Sequence, residues 1–143
     1  MSTHCLIGVV HGETIKTIYC RFDGYPHGVG EMLLEHYNSA KANHLISLGD
    51  ISYLEKEIEP PAGVEHSFDN PADGVTVFYG RDRNEPNAGW NIFLHEPSFN
   101  HYRNCLLSRG NDFKHVYLIK NDMWYYLPSG TKLSNAKLLS EVI

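Results

Sequence analysis

The chain has 143 residues, of which 42% are hydrophobic and 20% charged, and its formal net charge is −5. That length suits one domain and is enough to bury a core without disulfide or metal staples. The negative balance argues against general DNA or RNA binding, which needs surplus Lys and Arg to neutralise phosphates. Any anionic ligand must therefore be met by a local basic cluster rather than by the global field.

No stretch approaches the ~18 apolar residues of a membrane span. Met1 to Val10 lacks the basic start and cleavage site of a signal peptide. The cysteines are Cys5, Cys20 and Cys105. An odd count without secretory signals predicts reduced thiols in a cytosol, and the lack of a long apolar stretch predicts no membrane association.

Residues 3–10 and 14–22 are β-branched and apolar, and they flank His11-Gly12-Glu13. This predicts a β-hairpin that places Cys5 opposite Cys20. The first strand is apolar on both faces, so an interior position is expected. Residues 23–30 hold two turn signals and a proline. An amphipathic helix should follow, with Val29, Met32, Leu33, His36 and Tyr37 on one stripe. A short second helix is expected from Ala42 to Leu48, stopped by Gly49, with a further turn capped by Asp50.

Residues 55–63 read as a solvated connection, and 64–70 as a short strand or loop ending at Asp69-Asn70-Pro71. Val75 to Tyr79 predicts a strand that runs into Gly80-Arg81-Asp82-Arg83. Trp90 to Leu94 predicts another strand. Ser98 is placed to cap a helix carrying Cys105 and ended by Gly110. Residues 113–119 and 123–127 flank Lys120-Asn121-Asp122 as a second hairpin, and 134–143 form a helix or extended tail. The pattern predicts one α+β domain over 1–143, with a mainly antiparallel sheet and helices packed on one face.

Three segments carry candidate chemistry. In Arg21-Phe22-Asp23-Gly24-Tyr25-Pro26, Arg21 offers a planar fork for phosphate, and Phe22 and Tyr25 offer stacking faces. Asp23 would orient a sugar hydroxyl or an arginine. Gly24, Gly28 and Gly30 lack the Lys-Ser that would complete a P-loop. In Arg81-Asp82-Arg83, an extended backbone would point both arginines the same way as a phosphate clamp. In the segment 66–71, His66 and Asp69 suit acid–base work or metal binding, although Asp69-Asn70-Pro71 equally makes an ordinary turn. Nine histidines are scattered without HxH or HExxH spacing, and no CxxC exists, so no metal site is expected. No cofactor is implied.

Taken together, CRFDGYPHGVG (20–30), LLEHY (33–37), LGDIS (48–52), HSFDNP (66–71) and YGRDR (79–83) resemble a widespread group of small tailed-bacteriophage proteins. The resemblance covers residues 5–83 and, more weakly, the hairpin at 120–126. It implies a phage origin and expression in the host bacterial cytoplasm, and no activity residue by residue. By analogy of size and lifestyle, the expected role is an accessory protein that sequesters a nucleotide-like signal of host defence. Its ligand-binding residues would be Arg21, Phe22, Asp23, Tyr25, His66, Asp69, Arg81 and Arg83. Two alternatives stand beside it. One is an inhibitor that covers a host protein through an aromatic surface. The other is a metal-assisted phosphodiesterase built on His66, Asp69, Asp23 and Asp82. Aromatic residues at 124–126 also suggest a homo-oligomer.

Overall fold

A computed structural model describes residues 3–12, 14–85, 91–94, 114–127 and 136–143. The expected helix from Ser98 and Cys105 within it lie outside the described residues, as does Trp90 at the start of the strand expected over Trp90 to Leu94.

The first hairpin forms as its alternation predicts. β1 (Cys5–His11) and β2 (Thr14–Cys20) pair antiparallel, with Cys5 opposite Cys20 and His11 opposite Thr14. The second hairpin joins β6 (His115–Lys120) to β7 (Met123–Leu127). Its turn residues Asn121 and Asp122 both have positive φ, 53° and 61°. Asn and Asp tolerate that conformation, and its twist matches the flanking strands. β1 lies between β2 and β6, and its run from Cys5 to Val9 is buried throughout.

β3 (Ile51–Tyr53), β4 (Val77–Phe78), β5 (Asn91–Leu94) and β8 (Lys137–Leu138) complete the sheet. The order is β4-β3-β2-β1-β6-β7-β8, and β5 pairs with the first half of β2. Pairings β1–β6 and β2–β3 are parallel; β1–β2, β2–β5, β3–β4, β6–β7 and β7–β8 are antiparallel. The sheet is mixed and mainly antiparallel, within an α+β fold.

Several elements differ from their sequence reading. After Asp50 the chain continues as β3 rather than as a helical turn, because Ile51 pairs with Cys20 on one side and Phe78 on the other. Residues 26–30 form a wide helical turn that runs into α1 (Glu31–His36). α2 spans Ser39–Ser47 and starts earlier than its apolar stripe suggests, because the Asn38 side chain accepts from the Lys41 N–H. Residues 64–70 carry no strand. Tyr79–Arg83 is a short helix, α3. The tail holds β8 and a tight turn at Leu139–Glu141.

Both sheet faces are apolar. Cys5, Ile7, Val9, Ile18 and Tyr117 join Val29 and Leu33 of the first helical segment and Leu45 of α2 in the larger core. Leu6, Ile15, Tyr19, Val116, Leu118 and Leu127 form a second cluster on the alternate positions of the same strands. Trp124 and Tyr126 are 4% and 9% exposed and belong to the larger core, so they offer no free aromatic face. Among the described residues no helix is long and apolar enough to cross a membrane.

Candidate functional site

The segment after β2 is held from several sides. The Arg21 and Phe22 N–H groups donate to the carbonyls of Ile51 and Ser52, which extends the parallel pairing with β3. The Gly24 N–H donates to the Thr3 carbonyl at 2.9 Å, and the Val29 N–H to the Asp23 carbonyl at 2.8 Å. Asp23 takes the left-handed conformation, φ 58°. Gly28 is required here, since a Cβ on it would lie 2.4 Å from the Asp23 carbonyl oxygen. The outcome is a rigid loop that leaves Arg21, Phe22, Asp23 and Tyr25 exposed. Phe22 is 40% exposed and Tyr25 44%, which is unusual for rings of this size in a small domain.

The second segment departs from its expected geometry. Arg81, Asp82 and Arg83 are helical, so the two arginines do not form a parallel clamp. The Asp82 carboxylate causes this. It reaches back to accept from the Phe78 N–H at 2.8 Å, satisfying a donor at the helix start. Arg81 turns inward. Its Nε and Nη2 donate to Asp82 at 2.9 and 3.1 Å, Nη1 to the Ile58 carbonyl at 2.7 Å, and Nη2 also to the Thr76 carbonyl at 3.1 Å. Its guanidinium lies 4.5 Å from the centre of the Phe78 ring. A phosphate clamp cannot use a fork whose donors are already committed. Arg83 remains exposed, with its guanidinium 4.7 Å from the centre of the Phe68 ring.

The third segment joins the second. The His66 and Asp82 side chains are 2% and 4% exposed, and His66 Nε2 lies 3.2 Å from Asp82 Oδ2. The Ala72 N–H donates to His66 Nδ1 at 2.9 Å, which assigns the ring proton to Nε2. Nε2 then donates to Asp82 and lies 3.2 Å from the Thr76 carbonyl. Both ring nitrogens are occupied, so no lone pair is left to take a proton from a substrate. Burial favours the neutral form of Asp82. The Arg81 and Phe78 hydrogen bonds and the Arg81 charge outweigh it and hold the carboxyl below its ordinary value. His66, Arg81 and Asp82 are therefore a clasp that fastens the irregular stretch 55–76 to α3. Asp69 is exposed on the adjoining turn, where the Asn70 N–H donates to Ser67 Oγ.

The three segments thus divide. His66 and Asp82 come together; Asp23 and Asp69 do not join them in a catalytic set. Among the described residues, no three His, Cys, Asp or Glu side chains converge to hold a metal ion. A groove of about 460 Å³ lies between α1, the start of α2 and the β6–β7 turn. Its lining includes Leu34, Glu35, Asp122 and Met123 and none of the candidate ligand residues.

One connection between the segments was missed from sequence. The Tyr19 N–H donates to the Asp50 side chain and the Tyr79 N–H to the Asp50 carbonyl, so both tyrosines flank Asp50. Burial pushes the Tyr19 hydroxyl pKa up, the Arg21 charge opposes this, and the Tyr79 hydroxyl adds to it. The Tyr19 ring lies 5.4 Å from the His4 ring, and the Tyr79 ring 5.7 Å from the Phe68 ring. Two ring pairs therefore make a broken band from Arg21 to Arg83 on either side of Asp50: His4 with the buried Tyr19 near Arg21, and Tyr79 with Phe68 beneath Arg83. Only the strand alternation of Tyr19 with Arg21 hinted at this; the contribution of Tyr79 depends on β3 lying between β2 and β4.

Compared with known proteins, this α+β chain matches no family model, no curated protein and no solved structure.

Proposed function

We propose that the protein is a binding module that captures an anionic, nucleotide-like small molecule on the band from Arg21 to Arg83. One observation carries the reading: two exposed arginines stand at the ends of a band that holds two pairs of aromatic rings. The partly exposed Phe68 and Tyr79 rings provide stacking surface for a base, and guanidinium forks suit phosphate oxygens. The exposed Phe22 and Tyr25, fixed on a glycine-locked loop, add stacking faces beside Arg21. A rigid loop loses little entropy on binding.

The clasp at His66 favours capture over hydrolysis, because its ring nitrogens are engaged inside the fold. In this reading Asp23 orients a sugar hydroxyl, His66 and Arg81 support the site's frame rather than touch the ligand, and Asp69 stands exposed on the adjoining turn. The resemblance to small phage proteins suggests sequestration of a host-defence signal in the bacterial cytoplasm as the biological setting.

Incubation with a panel of linear and cyclic nucleotides, followed by heating and mass spectrometry of the released molecules, tests this. Near-stoichiometric recovery of an intact nucleotide is expected. Recovery of cleavage products alone would make the protein an enzyme, and recovery of nothing would remove the small-molecule reading.

A further inference from the structure

Within that binding reading, on which this inference rests, the sheet register singles out one end of the band. β1 and β2 pair Cys5 with Cys20, and β1 and β6 pair Cys5 with His115. One residue further along each strand, Arg21, His4 and Lys114 fall in a single row across three neighbouring strands. Two hydrogen bonds confirm the row: the His4 ring to the Arg21 carbonyl at 2.6 Å, and the Lys114 N–H to the His4 carbonyl at 3.0 Å. Strands lie about 4.8 Å apart, so the row spans roughly 10 Å.

Alternation places all three residues on the face of the second cluster, two positions from Tyr19, Leu6 and Val116. The contact between the His4 and Tyr19 rings agrees. Arg21 and Lys114 are exposed and His4 is half-buried. Among the described residues no carboxylate forms an ion pair with Arg21 or Lys114. An anion bound here would be held by this local row against a net charge of −5.

The chemistry of His4 fits the same anion. A backbone carbonyl only accepts, so the proton that bridges to Arg21 sits on Nδ1. Nε2 is the ring's second nitrogen, on the side away from that bond, and is the atom that can meet a phosphate oxygen.

We propose that Arg21, His4 and Lys114 form the phosphoryl subsite of the protein, and that the base of a bound nucleotide lies toward Tyr79 and Phe68. A guanidinium fork, an imidazole and an ammonium then surround one phosphoryl group. The ligand class is a phosphate monoester or diester with an aromatic base.

Amide chemical shifts of the full chain, followed by NMR during titration with inorganic phosphate and then with adenosine monophosphate, test the assignment. Phosphate should shift the signals of residues 4, 21 and 114. Lys114→Gln and Arg21→Gln should each weaken that response about tenfold, the loss of one charge-assisted contact. Lys120→Gln, an exposed cation at the far end of β6 from Lys114, should leave the phosphate response unchanged. Because Lys114 and Arg21 are exposed, an unchanged melting temperature accompanies these variants. Phosphate shifts at the row without tighter binding of the nucleotide would keep the subsite and remove the nucleotide reading. Nucleotide shifts at Tyr79 and Phe68 with none at the row would overturn the subsite and keep the binding module. Silence from both probes would overturn both.

Discussion

The Tyr117 hydroxyl, buried in the larger core, donates to the Gly24 carbonyl at 2.6 Å across 93 positions of sequence. Burial raises its pKa far above the ordinary value, with the neighbouring Cys5, Tyr126 and Cys20 adding to the shift, so it stays a donor. This bond ties the exposed Arg21–Tyr25 loop to the central strands. Tyr117→Phe removes the donor and leaves a buried carbonyl without its partner, at a cost of about 1–3 kcal/mol. Urea denaturation should show a lower midpoint with an unchanged slope. Hydrogen exchange at residues 21–25 should quicken more than in the β6–β7 hairpin. Equal quickening everywhere would argue against a local tie.

The Gly28 backbone has no room for a methyl group. With a Cβ placed 2.4 Å from the Asp23 carbonyl oxygen, Gly28→Ala must push the loop open. The contact is with backbone, so no side-chain rotation relieves it. A destabilisation of roughly 1–3 kcal/mol is expected, as for other overpacking. If the loop is the ligand platform, retention of the ligand should fall beyond what the lost stability explains. Thermal melting and ligand recovery on the same sample separate the two effects.

Much of the frame is legible in the sequence, and the reasons can be seen residue by residue. The two hairpins follow from local alternation and from Gly12 and Asn121-Asp122, so sequence-near pairing was accessible. The parallel pairing of β1 with β6 joins residues about 110 positions apart and leaves no local trace. Arg81-Asp82-Arg83 reads as extended because it follows a β-branched strand. The deciding contact, Asp82 on the Phe78 N–H, is a capping interaction whose pattern is hidden by the strand-like residues before it. His66 and Asp82 lie 16 positions apart, and only the folding of 67–76 brings them together. His4 and Lys114 were passed over because their value depends on cross-strand register.

The Cys5 and Cys20 thiols face each other across the first hairpin and are both fully buried. Burial, and then the neighbouring Cys20, push the Cys5 thiol well above its ordinary pKa. The thiolate is the reactive form, so both residues should resist alkylation in the native protein. In a Cys105→Ser background, a disulfide reagent at pH 8 should titrate no thiol before unfolding and both afterwards. Rapid native labelling would show that the hairpin opens readily.

Asp82 gives the fold a defined acid sensitivity. Its folded pKa lies below the ordinary 3.8, so its contribution is present in full above the unfolded value. That contribution is lost as pH falls through the folded pKa. Asp82→Ala leaves Arg81 without its carboxylate inside the clasp, and breaking such a pair costs about 3–5 kcal/mol at neutral pH. The parent protein should lose stability between pH 4 and the folded pKa, whereas the variant should show a shallower dependence there. Parallel curves for the two proteins would remove Asp82 as the source.

The two arginines of the same short helix should separate structure from binding. Arg81 serves the Ile58 and Thr76 carbonyls and Asp82, so Arg81→Ala should lower stability by several kcal/mol, in keeping with a buried pair. Arg83 is exposed over the Phe68 ring, and such a contact contributes only about 0.5–1 kcal/mol to folding. Arg83→Ala should therefore melt within a few degrees of the parent yet retain nucleotide about tenfold less tightly, since one charge-assisted contact is lost. Phe68→Ala should resemble Arg83→Ala in binding, because the ring positions the guanidinium. Melting curves and ligand recovery for all three variants check this. Retention unchanged in Arg83→Ala would move the site away from α3 and toward the Arg21 end of the band.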